Sequence, residues 1–184
     1  MRKYLFLLFS LLILGACGGP EPRKPVQVKS GSFYKASVER SKRILEVETK
    51  VIQELIEKDS LQEYLTSTSG FWYTYEIEKD SLTYLPNTND ILLLTYNIMS
   101  LKGDTIYKTG DIGLVEHAVD KSQLFPGLRN AVKLLEKDEK ATFIFPSGQA
   151  YGYKGDNNKI GPNIPIKASV TILEIKKDSS NIKL

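Results

Sequence analysis

The chain has 184 residues, 41% hydrophobic and 26% charged, with 25 basic against 22 acidic side chains, one Cys and one His. That length suits one domain with an appendage. The composition excludes a disulfide scaffold and a His- or Cys-rich metal site, and the near-neutral charge lacks the clustered basic excess that nucleic-acid binding needs.

Arg2 and Lys3 precede an uncharged apolar run from Leu5 to Leu14. The run is too short for a permanent bilayer-spanning helix and reads as a secretory signal. Its end, Leu14-Gly15-Ala16-Cys17, resembles the lipobox at which bacterial lipoproteins are cleaved and lipidated. The resemblance implies a signal peptide over residues 1–16 and a lipid-bearing Cys17 at the mature N-terminus. The alternative is an ordinary signal followed by a stray Cys, for which disulfide arithmetic offers no partner. Gly18 rather than Asp after the Cys implies, by the same sorting pattern, the outer membrane; the side it faces stays open, with the periplasmic one expected. Two acyl chains suffice for stable anchoring, since each buried methylene adds about 0.8 kcal/mol. Loss of Arg2 and Lys3 leaves 23 basic against 22 acidic side chains.

Residues 17–32 hold three Pro and almost no large apolar side chain, so they cannot bury enough surface to offset chain entropy. A flexible tether is expected there. From Phe33 to Tyr64, Leu45, Val51, Ile52, Leu55 and Ile56 recur at three- and four-residue steps among Glu, Lys and Arg, which predicts a helical extension over 33–67 with a break at Asp59-Ser60. Without a sustained heptad, two partners for its apolar stripe stay open: the chain's own domain, or a second copy in a homodimer.

Beyond Ser69-Gly70 the period changes to two. Phe71, Tyr73, Tyr75 and Ile77 alternate, as do Leu92, Leu94, Tyr96 and Ile98, before a hairpin turn near Lys102-Gly103-Asp104 and a return strand at Ile106-Tyr107. Residues from Ile112 to Val115 read as a further short strand, and His117 as a solvated strand residue. A turn at Pro126-Gly127 then feeds a helix of about ten residues with Leu128, Ala131, Val132 and Leu135 on one face. Alternation resumes at Ala141, Phe143 and Phe145, and a last strand runs from Ser169 to Ile175.

The stretch LFPGLRNAVKLLEKDEKATFIFPSGQAYG, Leu124 to Gly152, with Tyr96 upstream and Ile164-Pro165 downstream, resembles the core of the FK506-binding-type (FKBP) peptidyl-prolyl isomerases. The resemblance covers about Ile91 to Ile175 and has no gap from Leu124 to Tyr151. It implies an α+β domain over 68–184, an FKBP-like antiparallel sheet wrapped around one short helix and preceded by the helical extension. It also implies a cleft. Tyr96 stands at the strand position of the family's tyrosine, and Leu124-Phe125 at its Val-Ile pair, so that the Phe125 amide would donate to a ligand carbonyl. Gly127 keeps the turn glycine, Leu128 takes the floor position usually held by Trp, and Tyr151 matches the tyrosine whose hydroxyl bonds the ligand. Ile164 belongs to the closing loop.

Several positions depart from the family pattern. Ile106-Tyr107 replaces a Phe-Asp pair, so the family's carboxylate is absent at that place. Val115 replaces a Phe, Ile172 stands near another, and residues 152–164 are longer than in minimal members, placing Lys154 and Lys159 at the rim. Taken singly, Tyr96, Tyr151, Leu128 and Phe125 read as core residues. Together, at family spacing, they read as a ligand-lining set.

The chemistry left open is non-covalent. With one His, no Gly-x-Ser-x-Gly elbow, a Cys read as acylated, no calcium-loop spacing at Asp156-Asn157-Asn158 and no glycine-rich phosphate loop, histidine triads, thiol nucleophiles, metal and nucleotide sites are disfavoured. Rotation about an X-Pro bond needs none of these. Its barrier of about 18–20 kcal/mol falls when a site holds the ring in an apolar slot and hydrogen-bonds the twisted amide better than the planar one. No cofactor is required. The resemblance thus implies isomerase action on proline-containing segments of envelope or secreted proteins, with FK506-like macrolides as possible ligands and membrane contact through the lipid. The lipobox, the short helix and Ile106-Tyr107 together resemble the gliding-motility-associated isomerase lipoproteins of gliding bacteria. Two alternatives remain: a non-catalytic peptide-binding module or holdase, and a spacer domain whose helix is the working part.

Overall fold

The computed structural model of the protein describes residues 30–80, 83–121 and 124–181. The expected signal, Cys17 and most of the tether lie outside them. The chain divides into units of residues 1–36 and 37–184, and every contact discussed below lies within the second.

Helix α1, Ser30–Lys58, begins three residues before the expected boundary and stops at the Asp59-Ser60 break. Glu, Lys, Arg and Leu favour it throughout, and Lys58 in its last turn complements the helix dipole. Its stripe packs on its own domain at two points. Ile52 is fully buried, and the buried Glu48 carboxylate accepts the Ser147 backbone N–H at 2.7 Å. Leu45, Val47 and Val51 remain 48–63% exposed. Among the described residues no helix is long and apolar enough to cross a membrane.

The sheet is antiparallel throughout: β1 (Leu65–Thr66), β2 (Trp72–Ile77), β3 (Ile91–Tyr96), β4 (Ile98–Met99), β5 (Thr105–Tyr107), β6 (Val115–Ala118), β7 (Lys140–Phe145) and β8 (Ile166–Lys176). Its main path runs β1-β2-β7-β8-β3-β6, with β4 joining β5 to β8. Period-two alternation puts Leu92, Leu94, Ala141, Phe143, Phe145, Ala168, Val170 and Ile172 into one fully buried core. The short helix α3, Pro126–Ala131, continued by a 3₁₀ turn over Val132–Leu134, buries Leu128, Ala131 and Val132 in the same core. At about 25 cal/mol per Å², each such large side chain stabilises by roughly 1.5–3 kcal/mol.

Two expectations are corrected. Ile112 closes a helical turn, α2 (Thr109–Ile112), rather than opening a strand. The turn is set by the Asp111 carboxylate accepting the Lys108 N–H, and the chain becomes extended only at Val115. His117 is on a strand, but it is buried: its register partner is Leu92, and both face the core. Burial, reinforced by Arg129 and Lys133 and opposed by Asp120, lowers the imidazole below its usual range. The folded state therefore favours neutral His117, and its stability contribution is complete above the unfolded pKa of about 6.5 and declines as pH falls through it. Thermal unfolding between pH 8 and 5.5 is expected to show a falling Tm that flattens in His117→Leu. An identical pH slope in the variant would show that His117 is not the titrating group.

Candidate active site

Strands β3, β5, β6 and β8 and the start of α3 carry most of the predicted site residues. Leu94 is opposite Val115 on β6 and Ile172 on β8, so these side chains form a row across neighbouring strands. Tyr96 extends that face by one strand repeat, and Ile98 pairs with Tyr107 of β5. Phe125 is the N-cap of α3, extended at φ −64° and ψ 153°, with Pro126 fixing the first helical turn. Gly127 is there for space: a Cβ would lie 2.8 Å from the Gln149 carbonyl oxygen and press into the Phe145 ring. That approach lets Phe125 meet Phe145 edge-on at 5.3 Å and Tyr151 at 5.3 Å.

The predicted residues divide by exposure. Tyr96, Ile106, Tyr107, Val115, Leu124, Phe125 and Tyr151 are half-buried and pack on the core. Leu128 and Ile172, expected to line the cleft, are instead fully buried members of the core on which these side chains pack, so neither presents a surface to a ligand here. Ile164 is 42% exposed on the loop before β8.

Donors remain available among these residues. Among the described residues, neither the Tyr96 nor the Tyr151 hydroxyl, nor the Phe125 amide N–H, donates to another group. Burial raises the Tyr96 phenol, and burial together with Tyr96, Asp156 and Tyr107 raises that of Tyr151 far above its ordinary value. Both therefore stay protonated across physiological pH and can only donate or accept as neutral hydroxyls.

The sequence reading missed one group. Position 107 carries no carboxylate, but the loop brings one: the Tyr107 hydroxyl donates to Asp156 across 49 residues. This hydrogen bond, followed by burial, raises the Tyr107 phenol. Burial pushes the Asp156 carboxyl up, yet the Tyr107 hydroxyl and the Ile160 and Asn158 N–H groups outweigh it and hold the carboxyl below the usual range. The available signal was a strand tyrosine in place of an acid, with a single acid in the lengthened loop.

A half-exposed layer of tyrosines and aliphatics thus packs on the core that the short helix α3 helps to build, with neutral hydroxyl and amide donors among its groups. The chain belongs to the FKBP-type peptidyl-prolyl cis-trans isomerase family, whose model matches residues 83–175, half of the sequence. It is 29% identical over 149 residues to the probable FKBP-type peptidyl-prolyl cis-trans isomerase FkpA of Neisseria meningitidis serogroup B, covering 81% of this chain and 52% of that one. The chain thus spans about half the length of that curated relative. Among solved structures, FkpA from Escherichia coli superposes with a TM-score of 0.58 at 17% identity, over 96% of this chain and 82% of that one. A peptidyl-prolyl cis-trans isomerase from Pseudomonas syringae pv. tomato gives 0.57 at 17%, over 74% and 96% respectively. Both likenesses concern the fold.

Proposed function

We propose that this protein is a peptidyl-prolyl cis–trans isomerase acting on proline-containing segments of envelope or secreted proteins, tethered by a lipid on Cys17 to the outer membrane on its periplasmic side. Supporting the catalytic part is one observation above others: Tyr96, Phe125 and Tyr151 surround a half-exposed apolar corner while their hydroxyls and amide donate to no other described group. The proline ring would sit against Phe125, Val115 and Tyr96 over buried Leu128. The Phe125 N–H and the Tyr151 hydroxyl would hold carbonyls of the peptide, bonding the twisted imide better than the planar one. FK506-like macrolides would compete for the same surface. The gliding-motility-associated lipoproteins are the proposed subgroup, resting on the lipobox and on Ile106-Tyr107.

The test is a protease-coupled or exchange-NMR assay on a short X-Pro peptide, with and without FK506. Acceleration that FK506 suppresses is expected; no acceleration at micromolar protein would end the isomerase reading. The second reading, a holdase or dimer working through α1, is favoured by the exposure of Leu45, Val47 and Val51. Suppressed aggregation of an unfolded client without isomerisation would support the holdase. Concentration-dependent mass in sedimentation would support the dimer.

A further inference from the structure

The segment 152–164 that links Tyr151 to β8 is organised by one carboxylate. One Asp156 oxygen accepts the N–H groups of Asn158 and Ile160, each at 2.8 Å, while the Asp156 N–H donates to the Ile160 carbonyl at 3.0 Å. Gly155, at φ +69°, occupies a conformation that L side chains rarely adopt, and a Cβ there would collide with the Ile160 carbonyl. The Asn163 N–H closes the loop on the Gly152 carbonyl at 2.8 Å. The other Asp156 oxygen accepts the Tyr107 hydroxyl. Lys159 fastens the same strand: its ammonium lies 3.2 Å from the Ile106 carbonyl oxygen and 4.8 Å from the centre of the Tyr107 ring, and its N–H is 3.4 Å from the Tyr107 oxygen. Side chains of β5 and of the loop thus clasp each other across the corner that carries Tyr151.

We propose that Asp156 is a positioning residue. With Tyr107 it forms a latch that fixes segment 152–164 against β5 and thereby sets the Tyr151 hydroxyl for the bound imide, an assignment that rests on the isomerase reading. The latch does two things at once. It ties down a loop whose entropy would otherwise blur the position of its first residues. It also commits the Tyr107 proton to a carboxylate, so that Tyr107 does not compete with Tyr151 for the peptide carbonyl.

The experiment places Asp156→Ala and Tyr107→Phe each in wild-type and Tyr151→Phe backgrounds and measures kcat/KM on a short X-Pro peptide. Each is expected to lower kcat/KM about tenfold in the wild type, within the hundredfold that an ångström of misplacement costs. The double variant should be no worse than either single one, and neither should have further effect once the Tyr151 hydroxyl is gone. Equal losses in both backgrounds, or no loss in either, would overturn the proposal. Amide hydrogen exchange supplies a readout that needs no turnover: the Asn163 and Ile160 N–H groups should exchange faster in Tyr107→Phe while the β7 and β8 amides do not. Unchanged exchange at Asn163 and Ile160 overturns the latch. An inactive wild-type protein with accelerated exchange there would defeat the isomerase reading and leave the latch standing.

Discussion

Tyr151→Phe is expected to lower kcat/KM on an X-Pro peptide about tenfold, and Tyr151→Ala considerably more. The hydroxyl has no other described acceptor, so its proton is available to the substrate. A hydrogen bond of this kind is worth about 0.5–1.5 kcal/mol net, and 1.4 kcal/mol is a tenfold rate. A useful isomerase needs roughly 4–7 kcal/mol in all, so one hydroxyl supplies a minor share and the apolar grip the rest. Removing the ring as well strips the wall that meets Phe125 at 5.3 Å, which is why alanine costs more than phenylalanine. Because the phenol is held far above its ordinary pKa, chiefly by burial, the hydroxyl contribution should be constant from pH 6 to 9. Unchanged kcat/KM in Tyr151→Phe would remove Tyr151 from the mechanism.

Leu128→Ala is expected to cost about 2–5 kcal/mol of folding stability, measured by urea unfolding, because the side chain is fully buried and its neighbours are held by the sheet. Against a typical total of about 5–15 kcal/mol, that is a large fraction. Activity should fall too, since the lost side chain belongs to the core on which Phe125 and Val115 pack. Leu128→Met separates the causes: it conserves volume, should cost under about 1.5 kcal/mol, and should keep most of the activity. A stable but inactive Leu128→Met would show that leucine's shape at this floor matters to the substrate. A stability loss below about 1 kcal/mol in Leu128→Ala would contradict the packing described for α3.

What the sequence revealed and what it hid follow from the range of each interaction. Alternation over Leu92, Leu94 and Tyr96, and over Ala141, Phe143 and Phe145, is local, and these residues occupy the faces that period two assigns them. The helix after Pro126 was readable because Leu128, Ala131 and Val132 lie within one and a half turns. His117 was misread because a lone polar residue in a strand gives no sign of its face; register with Leu92 decides that, across 25 positions of chain. The Tyr107–Asp156 and Glu48–Ser147 bonds join residues 49 and 99 apart, and no periodicity links them. Fold, in this protein, lay in short patterns; the pairing of carboxylates with distant donors lay in long ones.

The strand β8 has a further consequence. It hydrogen-bonds to β3, β4 and β7, yet it begins only at Ile166. The sheet cannot close before this strand is in place, since β3 and β7 are joined only through it. Without it, β3 and β7 each lack a partner along one side, a row of open N–H and C=O groups to which another extended chain can add.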